Sequence, residues 1–228
     1  SIHRLGVYIP TPGIDIDILR DIAKRHEWKL DIVWANSGIS LGYAFSATID
    51  KGYCDFFVGL VHSDENDDVR DHHLVYTKPY VGVGFVLAVQ GKASKVKTLA
   101  EIKEKKLKVG VPMLSPMEEY VRNNKMEYEL YSQSHGLIDG MIKREVDAAM
   151  MWSGALAVAK NDFDVEFDVV SDFVPQPGQR WNGVWVVKEK EIQLKAFLDD
   201  ELQTMLKQGK IQSIVESYYM PFYEPFVN

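Results

Sequence analysis

One sequence pattern occurs twice in this chain, and it constrains the fold more than any other feature. Leu5–Pro10 (LGVYIP) matches Leu107–Pro112 (LKVGVP). Ile49–Asp55 (IDKGYCD) in turn matches Met141–Asp147 (MIKREVD). Each pair stands at the head of the same order of predicted elements, at similar separations along the chain. Two such matches in register predict two similar lobes, each an α/β unit.

Tyr76–Val89 (YTKPYVGVGFVLAV) is the segment that we expect to lead the chain from the first lobe into the second. It contains a Pro-Tyr corner, then glycines at Gly82 and Gly84, and then an apolar β-run from Phe85 to Val89. Ligands of open α/β sheets bind at the carboxyl ends of the strands. Two lobes that present such ends to each other predict a cleft between them, beside this segment.

Strands and helices alternate along the chain, which predicts an α/β fold with largely parallel sheets. The apolar run Asp55–Val61 has the pattern of a strand buried on both faces, and His62–His73 is a predicted polar loop. The predicted strands are Leu5–Ile9, Trp28–Trp34, Asp55–Val61, Lys108–Val111, Glu127–Tyr131, Asp147–Met151 and Gly183–Lys188. The predicted helices are Ile14–His26, Gly42–Asp50, Thr98–Lys105, Pro116–Asn123, Gly136–Lys143, Gly154–Lys160, Leu194–Lys207 and Ile211–Tyr218.

Charge and apolar content exclude several classes of protein. The chain has 228 residues, 46% of them hydrophobic, and a formal net charge of −7. An acidic chain with scattered lysines and arginines is not expected to bind nucleic acid or an anionic membrane, since both require a basic face. No apolar run approaches the ~20 residues of a spanning helix, and the sequence shows no signal peptide. Cys54 is the single cysteine, which rules out an internal disulfide, and we expect it to be a buried small apolar side chain.

Five motifs, spread over nearly the whole chain, resemble the type II periplasmic solute-binding proteins of family 3. They are GIDIDIL at 13–19, GYCD at 52–55, TKPY at 77–80, LKVGV at 107–111 and EVDAA at 145–149. The resemblance implies a periplasmic protein with two lobes, an interlobe cleft and two crossover strands, near Val83–Val89 and Trp181–Lys188. By implication lobe 1 comprises residues 1–85 and 184–228, and lobe 2 comprises residues 86–183.

Two charged side chains of the amino-acid-binding members of this family have no counterpart here. The resemblance implies an arginine on the exit strand for the ligand carboxylate, and an acid after the second lobe's buried strand for the ammonium. In this chain the two positions fall at about Phe85 and Trp152. A zwitterion in such a cleft would lack charge-assisted hydrogen bonds worth roughly 1.5–3 kcal/mol each and would still be desolvated. An α-amino acid ligand is therefore disfavoured.

Further motifs are similar to the MxaJ-type proteins within this family. They are Gly-x-Cys-Asp before an apolar strand, Thr-x-Pro-Tyr, Trp152-Ser153-Gly154 and Tyr219-Met220-Pro221. Proteins of this type are periplasmic accessories of quinoprotein (PQQ-dependent) methanol dehydrogenase systems. The resemblance implies a non-enzymatic protein that assists the dehydrogenase, with methanol dehydrogenase subunits as partners and no cofactor. A small neutral or aromatic molecule is the other candidate partner.

Eight residues are candidates for binding in the cleft. Ser115, which precedes Pro116, either caps a helix or opens an anion site at backbone N–H groups, and the cap is the preferred interpretation. For the tryptophans the alternative is core packing, except that Trp152 follows a buried strand and is assigned to the cleft. His62 is assigned there for the same reason. The full set is Pro10, Trp34, His62, Tyr80, Phe85, Ser115, Trp152 and Ser153.

Metal binding and catalysis are weaker alternatives. Asp64-x-Asn66-x-Asp68 copies three ligand positions of a calcium loop, but Val69 and Val75 replace the required glycine and glutamate. The histidine spacing fits no zinc pattern, so no metal site is predicted.

Three functions remain open: an accessory protein, an ABC-transporter receptor for a small solute that is not an α-amino acid, and a dehydratase-like enzyme. The enzyme would need a cleft carboxylate paired with a substrate-binding cation, and the sequence suggests no such pair. No catalytic residue is therefore assigned.

Overall fold

The structure is a computed structural model, and it describes residues 13–36, 40–64 and 67–227. The chain divides into two compact units. Unit 1 comprises Ser1–Gly82, Asn182–Ile214 and Glu224–Asn228, and unit 2 comprises Val83–Trp181 and Val215–Tyr223. Residues 215–223 belong to unit 2. The predicted lobes differ here, because they place all of residues 184–228 in lobe 1.

The described helices are α1 (Ile14–Arg25), α2 (Leu41–Ala47), α3 (Asp67–Asp71), α4 (Leu99–Glu104), α5 (Pro116–Asn123), α6 (Ser134–Ile142), α7 (Gly154–Phe163), α8 (Ile192–Lys207) and α9 (Lys210–Ser217). The described strands are β1 (Phe56–Val61), β2 (Leu74–Tyr76), β3 (Val81–Val89), β4 (Val109–Pro112), β5 (Tyr128–Tyr131), β6 (Ala148–Trp152), β7 (Asp168–Val169) and β8 (Arg180–Lys188). A short 3-10 turn occupies Gly91–Ala93.

Helix α1 in unit 1 forms where the sequence predicts it. Its apolar residues recur three or four positions apart and are buried, and its charges complement the helix dipole, with acids in the first turn and bases in the last. The Glu201 carboxylate on α8 forms an ion pair with Arg25, the last residue of α1, over 2.5 Å. It also lies 2.8 Å from a ring nitrogen of His26, the C-cap residue of the helix. These contacts, with the buried apolar side chains of α8, fix the two helices against each other.

The sheet of unit 1 is antiparallel, with β8 between β1 and β2. Phe57 of β1 and Tyr76 of β2 both lie opposite Val186 of β8. The prediction that Asp55–Val61 is buried on both faces of a parallel sheet is therefore wrong. Within the described residues β1 pairs with β8 alone, and an irregularity at Gly59, whose φ is +81°, turns part of the strand towards solvent.

The strand predicted at Trp28–Trp34 does not form in the described structure. The alternation of apolar and polar residues there is real, but a strand also needs a neighbouring ladder. The Trp28 ring instead packs on Phe197 of α8, with ring centroids 4.9 Å apart. The strand predicted at Leu5–Ile9 lies outside the described residues.

The acid-rich segment 62–73, predicted as a loop, contains the short helix α3. The acids in its first turn favour a helix N-terminus, and Val69, which is 5% exposed, anchors it in the unit 1 core. That core also contains Phe45, Ile49, Leu74 and Val186.

The sheet of unit 2 has the order β5–β4–β6–β3, with β7 also paired to β3. β4 is parallel to β5 and β6, as predicted, but β3 runs antiparallel to β6. The α/β class is thus confirmed, whereas the prediction of largely parallel sheets holds for only part of this one. β3 runs in the opposite direction because it is the strand on which the chain enters the unit, and no helical crossover precedes it.

Helices α4 and α5 of unit 2 begin at the predicted caps. The Thr98 hydroxyl accepts a hydrogen bond from the Glu101 N–H over 3.2 Å, and Ser115 caps α5 in the same way. Both helices then bury their apolar residues in a continuous core, which includes Leu87, Ile102, Val109, Val111, Met117, Val121 and Met150.

Candidate functional site

Phe85 and Trp152 lie directly opposite each other in the sheet of unit 2. Phe85 on β3 and Trp152 on β6 are register partners in the antiparallel pair. Their ring centroids are 6.1 Å apart and the ring planes meet at 82°, an edge-to-face contact. The sequence singled out these two positions separately, and the strand register brings them together.

Trp181 completes an aromatic cluster with these two residues. Its ring centroid lies 5.7 Å from that of Trp152 and 6.4 Å from that of Phe85. Phe85 is 7% exposed, while Trp152 and Trp181 are half-buried. Each such ring pair contributes roughly 0.5–1.5 kcal/mol beyond the area it buries. The cluster of Phe85, Trp152 and Trp181 is therefore packed, with part of its surface open to solvent.

Gly84 and Ser153 fix the backbone beside the aromatic cluster. A β-carbon on Gly84 would lie 2.7 Å from the Gln179 carbonyl oxygen, so only glycine permits this approach of the two segments. The Ser153 N–H donates to the Gly84 carbonyl over 2.9 Å. Ser153 itself is 1% exposed, and its hydroxyl has no partner within the described part of the chain.

Ser115 acts as the N-cap of α5. Its hydroxyl accepts from the Glu118 N–H over 3.3 Å and donates to the Pro112 carbonyl over 2.7 Å. The Glu118 carboxylate accepts from the Leu114 N–H over 2.7 Å. The preferred interpretation of Ser115 as a cap is confirmed. The carboxylate at this helix end would repel the anion that the alternative interpretation requires.

Unit 1 contains a buried polar cluster that the sequence did not reveal. Asp15, in the first turn of α1, accepts hydrogen bonds at one carboxylate oxygen from the Tyr80 hydroxyl and from the Trp185 indole N–H, the latter over 2.6 Å. Tyr80 is 2% exposed and Trp185 is fully buried. Burial raises the pKa of Asp15, although the two donors oppose that shift. Burial and the neighbouring Asp15 carboxylate raise the pKa of Tyr80 well above 10.

The Thr77–Tyr80 corner is held by side chains of α8 and β8. Asp199 accepts from the Lys78 N–H over 2.6 Å, and Gln203 donates to the Pro79 carbonyl over 2.8 Å. The Thr77 hydroxyl oxygen accepts a hydrogen bond from the backbone N–H of Trp185 over 3.0 Å. A corner containing proline cannot satisfy all its polar groups internally, so these partners remove the cost of burying them. The corner position of Tyr80 was predicted, but its role in the Asp15 cluster was not.

The remaining cleft candidates lie at separate places. His62 follows β1, and its backbone N–H donates to the Asn182 carbonyl over 2.8 Å. The centroid of its ring lies 4.7 Å from that of the Tyr76 ring. Trp34 is 58% exposed. Pro10 lies outside the described residues. The structure thus brings together Phe85, Trp152 and the backbone of Ser153, and the assignment of the full set to one cleft stays a prediction.

Residues 13–36, 40–64 and 67–227 contain no cluster of metal ligands and no helix that could cross a membrane. No group of three or more His, Cys, Asp or Glu side chains there is arranged to hold a metal ion. Asp68 accepts the Gly42 N–H over 3.0 Å, and Asn66 of the calcium-like motif lies outside the described residues. Cys54 is partly buried beside the Phe45 core, and burial raises the pKa of its thiol. None of the helices in the described residues is both long enough and apolar enough to cross a membrane.

A family model decides the relationship of the chain. The model for bacterial extracellular solute-binding proteins, family 3, matches residues 10–221. The chain belongs to this family. The resemblance drawn from the motifs is thereby confirmed, and with it the type II solute-binding fold. No curated protein matches the chain in sequence.

Three solved structures illustrate the range of proteins to which this chain is similar in structure. It is similar to the second substrate-binding domain of GlnP from Lactococcus lactis, with 18% identity, a TM-score of 0.70, and coverage of 91% of this chain and 85% of that one. It is similar to the periplasmic binding protein XoxJ from Methylobacterium extorquens AM1, with 19% identity, a TM-score of 0.62, and coverage of 92% and 90%. It is also similar to the ancestral amino-acid-binding protein AncCDT-1, a precursor of cyclohexadienyl dehydratase, with 19% identity, a TM-score of 0.52, and coverage of 91% and 85%. At these identities the likenesses establish the fold alone.

Proposed function

We propose that this solute-binding-family protein is a non-enzymatic periplasmic accessory that assists a PQQ-dependent methanol dehydrogenase by protein–protein contact. The observation that carries the proposal is the pairing of Phe85 with Trp152 across β3 and β6. At the two positions where the resemblance implies an arginine and an acid, this chain has aromatic rings packed against each other.

The aromatic pair argues against the zwitterionic ligands of many relatives. A carboxylate or an ammonium group placed against Phe85 and Trp152 would lose its water and gain no ionic partner from them. Each missing charge-assisted hydrogen bond is worth roughly 1.5–3 kcal/mol. The shared fold with amino-acid-binding domains therefore does not carry over their ligand. Similarity to a periplasmic binding protein, XoxJ, supports the periplasmic placement.

The test is direct binding to purified PQQ-dependent methanol dehydrogenase, measured by biolayer interferometry at two salt concentrations. We expect saturable binding by this protein and none by the second substrate-binding domain of GlnP, which has a similar fold and serves as the matched control. Equal signals from the two proteins, or none from either, would contradict the accessory role.

A second candidate is a receptor of an ABC transporter for a small solute that is not an α-amino acid. The half-buried faces of Trp152 and Trp181 favour it, because exposed aromatic faces can stack on a neutral or aromatic ligand. A ligand at one hundred times its Kd would stabilise the protein by about 2.7 kcal/mol. A thermal-shift screen over sugars, polyamines, aromatic acids and amino acids checks this, and a blank screen would count against the receptor.

Dehydratase chemistry has less support than either binding role. It needs a carboxylate as acid or base and a cation for the substrate acid, whereas the aromatic cluster supplies apolar rings. Asp15 is a buried carboxyl group, but it accepts hydrogen bonds from the neutral donors of Tyr80 and Trp185. Turnover of prephenate, followed by absorbance, would overturn the non-enzymatic proposal.

A further inference from the structure

Helix α7 begins without the hydrogen bonds that usually complete a helix N-terminus. Ser153 is its N-cap residue, but the backbone of Ser153 is helical, with φ −53° and ψ −37°, and its side chain makes no capping bond. A serine at this position normally accepts from an N–H of the first turn. Within the described residues the N–H groups of Gly154 and Ala155 have no acceptor, whereas that of Leu156 donates to the Ser153 carbonyl over 3.1 Å. Two backbone donors are therefore unused at the start of α7.

Two side chains add further hydrogen-bond donors at the same place. Ser153 is 1% exposed, and its hydroxyl has no partner in the described part of the chain. The indole of Trp152 lies against the first residue of α7, since a β-carbon on Gly154 would be 3.3 Å from the indole nitrogen. The indole N–H also has no acceptor among the residues described. Buried polar groups are normally satisfied, so the unused Ser153 hydroxyl indicates a partner from outside the chain.

We infer that the start of α7 and the cluster of Phe85, Trp152 and Trp181 form a site for a neutral aromatic molecule that carries a carbonyl oxygen. The ring of that molecule stacks on the half-buried tryptophans. Its oxygen accepts from the donors at the start of the helix. All of these residues belong to unit 2. This inference rests on the second candidate function, the receptor for a small solute, and names the class of that solute.

The hydrogen-bonding polarity of this site is opposite to that of the amino-acid-binding members of the family. For those proteins the resemblance implies an acid at the position of Trp152, which accepts from the ligand's ammonium group. Here Trp152 and the start of α7 supply donors, and the helix dipole adds a partial positive charge. An ammonium group at this place would meet other donors and a like partial charge. A carbonyl oxygen would instead receive the hydrogen bonds that it needs.

The lack of an ionic partner favours a carbonyl oxygen over a carboxylate. The cationic side chain next to Trp181 in the sequence is Arg180, and its guanidinium donates to the Pro175 carbonyl over 3.4 Å. A carboxylate bound at the start of α7 would lose its hydration and gain only the partial charge of the helix end. A neutral oxygen costs less to desolvate and accepts the same hydrogen bonds.

The test compares three probes of similar shape by isothermal titration calorimetry with the whole chain. They are acetophenone, which has a carbonyl oxygen, benzoate, which has a carboxylate, and 1-phenylethylamine, which has an ammonium group. We expect acetophenone to bind roughly tenfold or more tightly than either of the others, because it alone is neutral and accepts hydrogen bonds.

A serine variant tests the contact itself. Ser153→Ala should weaken acetophenone binding about three- to tenfold, the effect of one lost hydrogen bond. Its melting temperature should equal or exceed that of the wild type, because the hydroxyl that it removes is unsatisfied in the described structure. Ser171→Ala, at an exposed serine of the same unit, is the matched control and should bind as the wild type does.

The outcomes separate this inference from the function on which it rests. Tighter binding of the amine or of benzoate would overturn the inference and leave the receptor function standing. Unchanged acetophenone binding by Ser153→Ala would overturn the site at α7. If none of the three probes binds, the inference is wrong, and the thermal-shift screen decides separately whether the receptor function fails with it. The accessory function depends on none of these results, since it is measured by binding to the dehydrogenase.

Discussion

The Trp185 indole N–H donates to the Asp15 carboxylate over 2.6 Å, and this bond joins strand β8 to the first turn of α1 across 170 residues of sequence. The same carboxylate oxygen accepts from Tyr80, which follows the proline corner. One buried group thus orients the start of a helix, the corner and the central strand of the unit 1 sheet. Buried polar groups are satisfied in this way because an unpaired one is costly.

Replacing Trp185 tests how much the Asp15 cluster contributes to the free energy of unfolding. We expect Trp185→Phe to lower the free energy of unfolding by about 2–4 kcal/mol, because a fully buried ring system loses volume and Asp15 loses a donor. Urea denaturation followed by circular dichroism measures the change. Trp34→Phe, at a side chain that is 58% exposed, should stay within about 0.5 kcal/mol of the wild type. Equal effects of the two variants would contradict the role of the Asp15 cluster.

Asp15 and Glu201 should have opposite effects on the pH dependence of stability. Burial raises the pKa of Asp15 above 3.8 in the folded state, so its contribution is present at low pH and is lost as pH rises through the folded pKa. Arg25 and His26 lower the pKa of Glu201 against its desolvation, so its contribution is lost as pH falls through the folded pKa.

Two variants separate these effects. The stability advantage of the wild type over Asp15→Asn should shrink as pH rises from 3 to 7, and its advantage over Glu201→Gln should grow over the same interval. Urea midpoints across that pH series provide the measurement. Parallel trends for the two variants would show that at least one of these assignments is wrong.

The coupling between Trp152 and Trp181 is measurable by a double-mutant cycle. We expect Trp152→Ala to destabilise the protein by about 2–4 kcal/mol, since the ring is half-buried between two others. Combined with Trp181→Ala, the cycle should give a coupling free energy of roughly 0.5–1.5 kcal/mol. Guanidinium denaturation followed by circular dichroism supplies the four values. A coupling of zero would mean that the observed ring contact contributes nothing to stability.

The left-handed backbone at Leu114 predicts a stabilising substitution. Leu114→Gly should raise the free energy of unfolding by about 1 kcal/mol, because the strain of a side chain at positive φ is removed. Differential scanning calorimetry would show a higher melting temperature. Met113→Gly is the control, since Met113 is not among the residues with positive φ and should gain nothing. A loss of stability in Leu114→Gly would indicate that the turn is not strained.

The two glycines Gly84 and Gly136 should respond to alanine in opposite directions. Gly84→Ala should cost about 1–3 kcal/mol, because the new β-carbon would meet the Gln179 backbone oxygen at 2.7 Å. Gly136 lies in α6 with its nearest neighbour at 3.7 Å, so Gly136→Ala should stabilise by about 0.5–1 kcal/mol. Thermal melting of both variants checks the pair, and destabilisation by Gly136→Ala would contradict the helix argument.

Local patterns predicted most of the helices and their caps correctly. Thr98 and Ser115 could be identified as caps because capping depends on residues only three positions apart. The strand at Trp28–Trp34 was predicted wrongly because alternation reports side-chain faces and not the presence of a neighbouring strand. For the same reason the prediction for β1 was wrong: an apolar run indicates burial on both faces, but it does not report which strands lie beside it.

The candidate site was predicted in part. Phe85 and Trp152 were each identified from the motifs beside them, whereas core packing was the preferred interpretation of Trp181. Asp15 was overlooked because its partners lie 65 and 170 residues away. A weak signal was present in the sequence, since two aspartates occupy the first turn of α1, whose N-cap is Gly13.

By itself the sequence determined the α/β class, the family and the helix caps at Thr98 and Ser115, because these depend on residue type and short-range order. Only the tertiary structure decided that Phe85 faces Trp152, that Asp15 joins Tyr80 and Trp185, and that Leu114 stands in solvent. Those relationships depend on strand register and on contacts between distant segments, which follow from the free energy of the packed whole rather than from any local pattern.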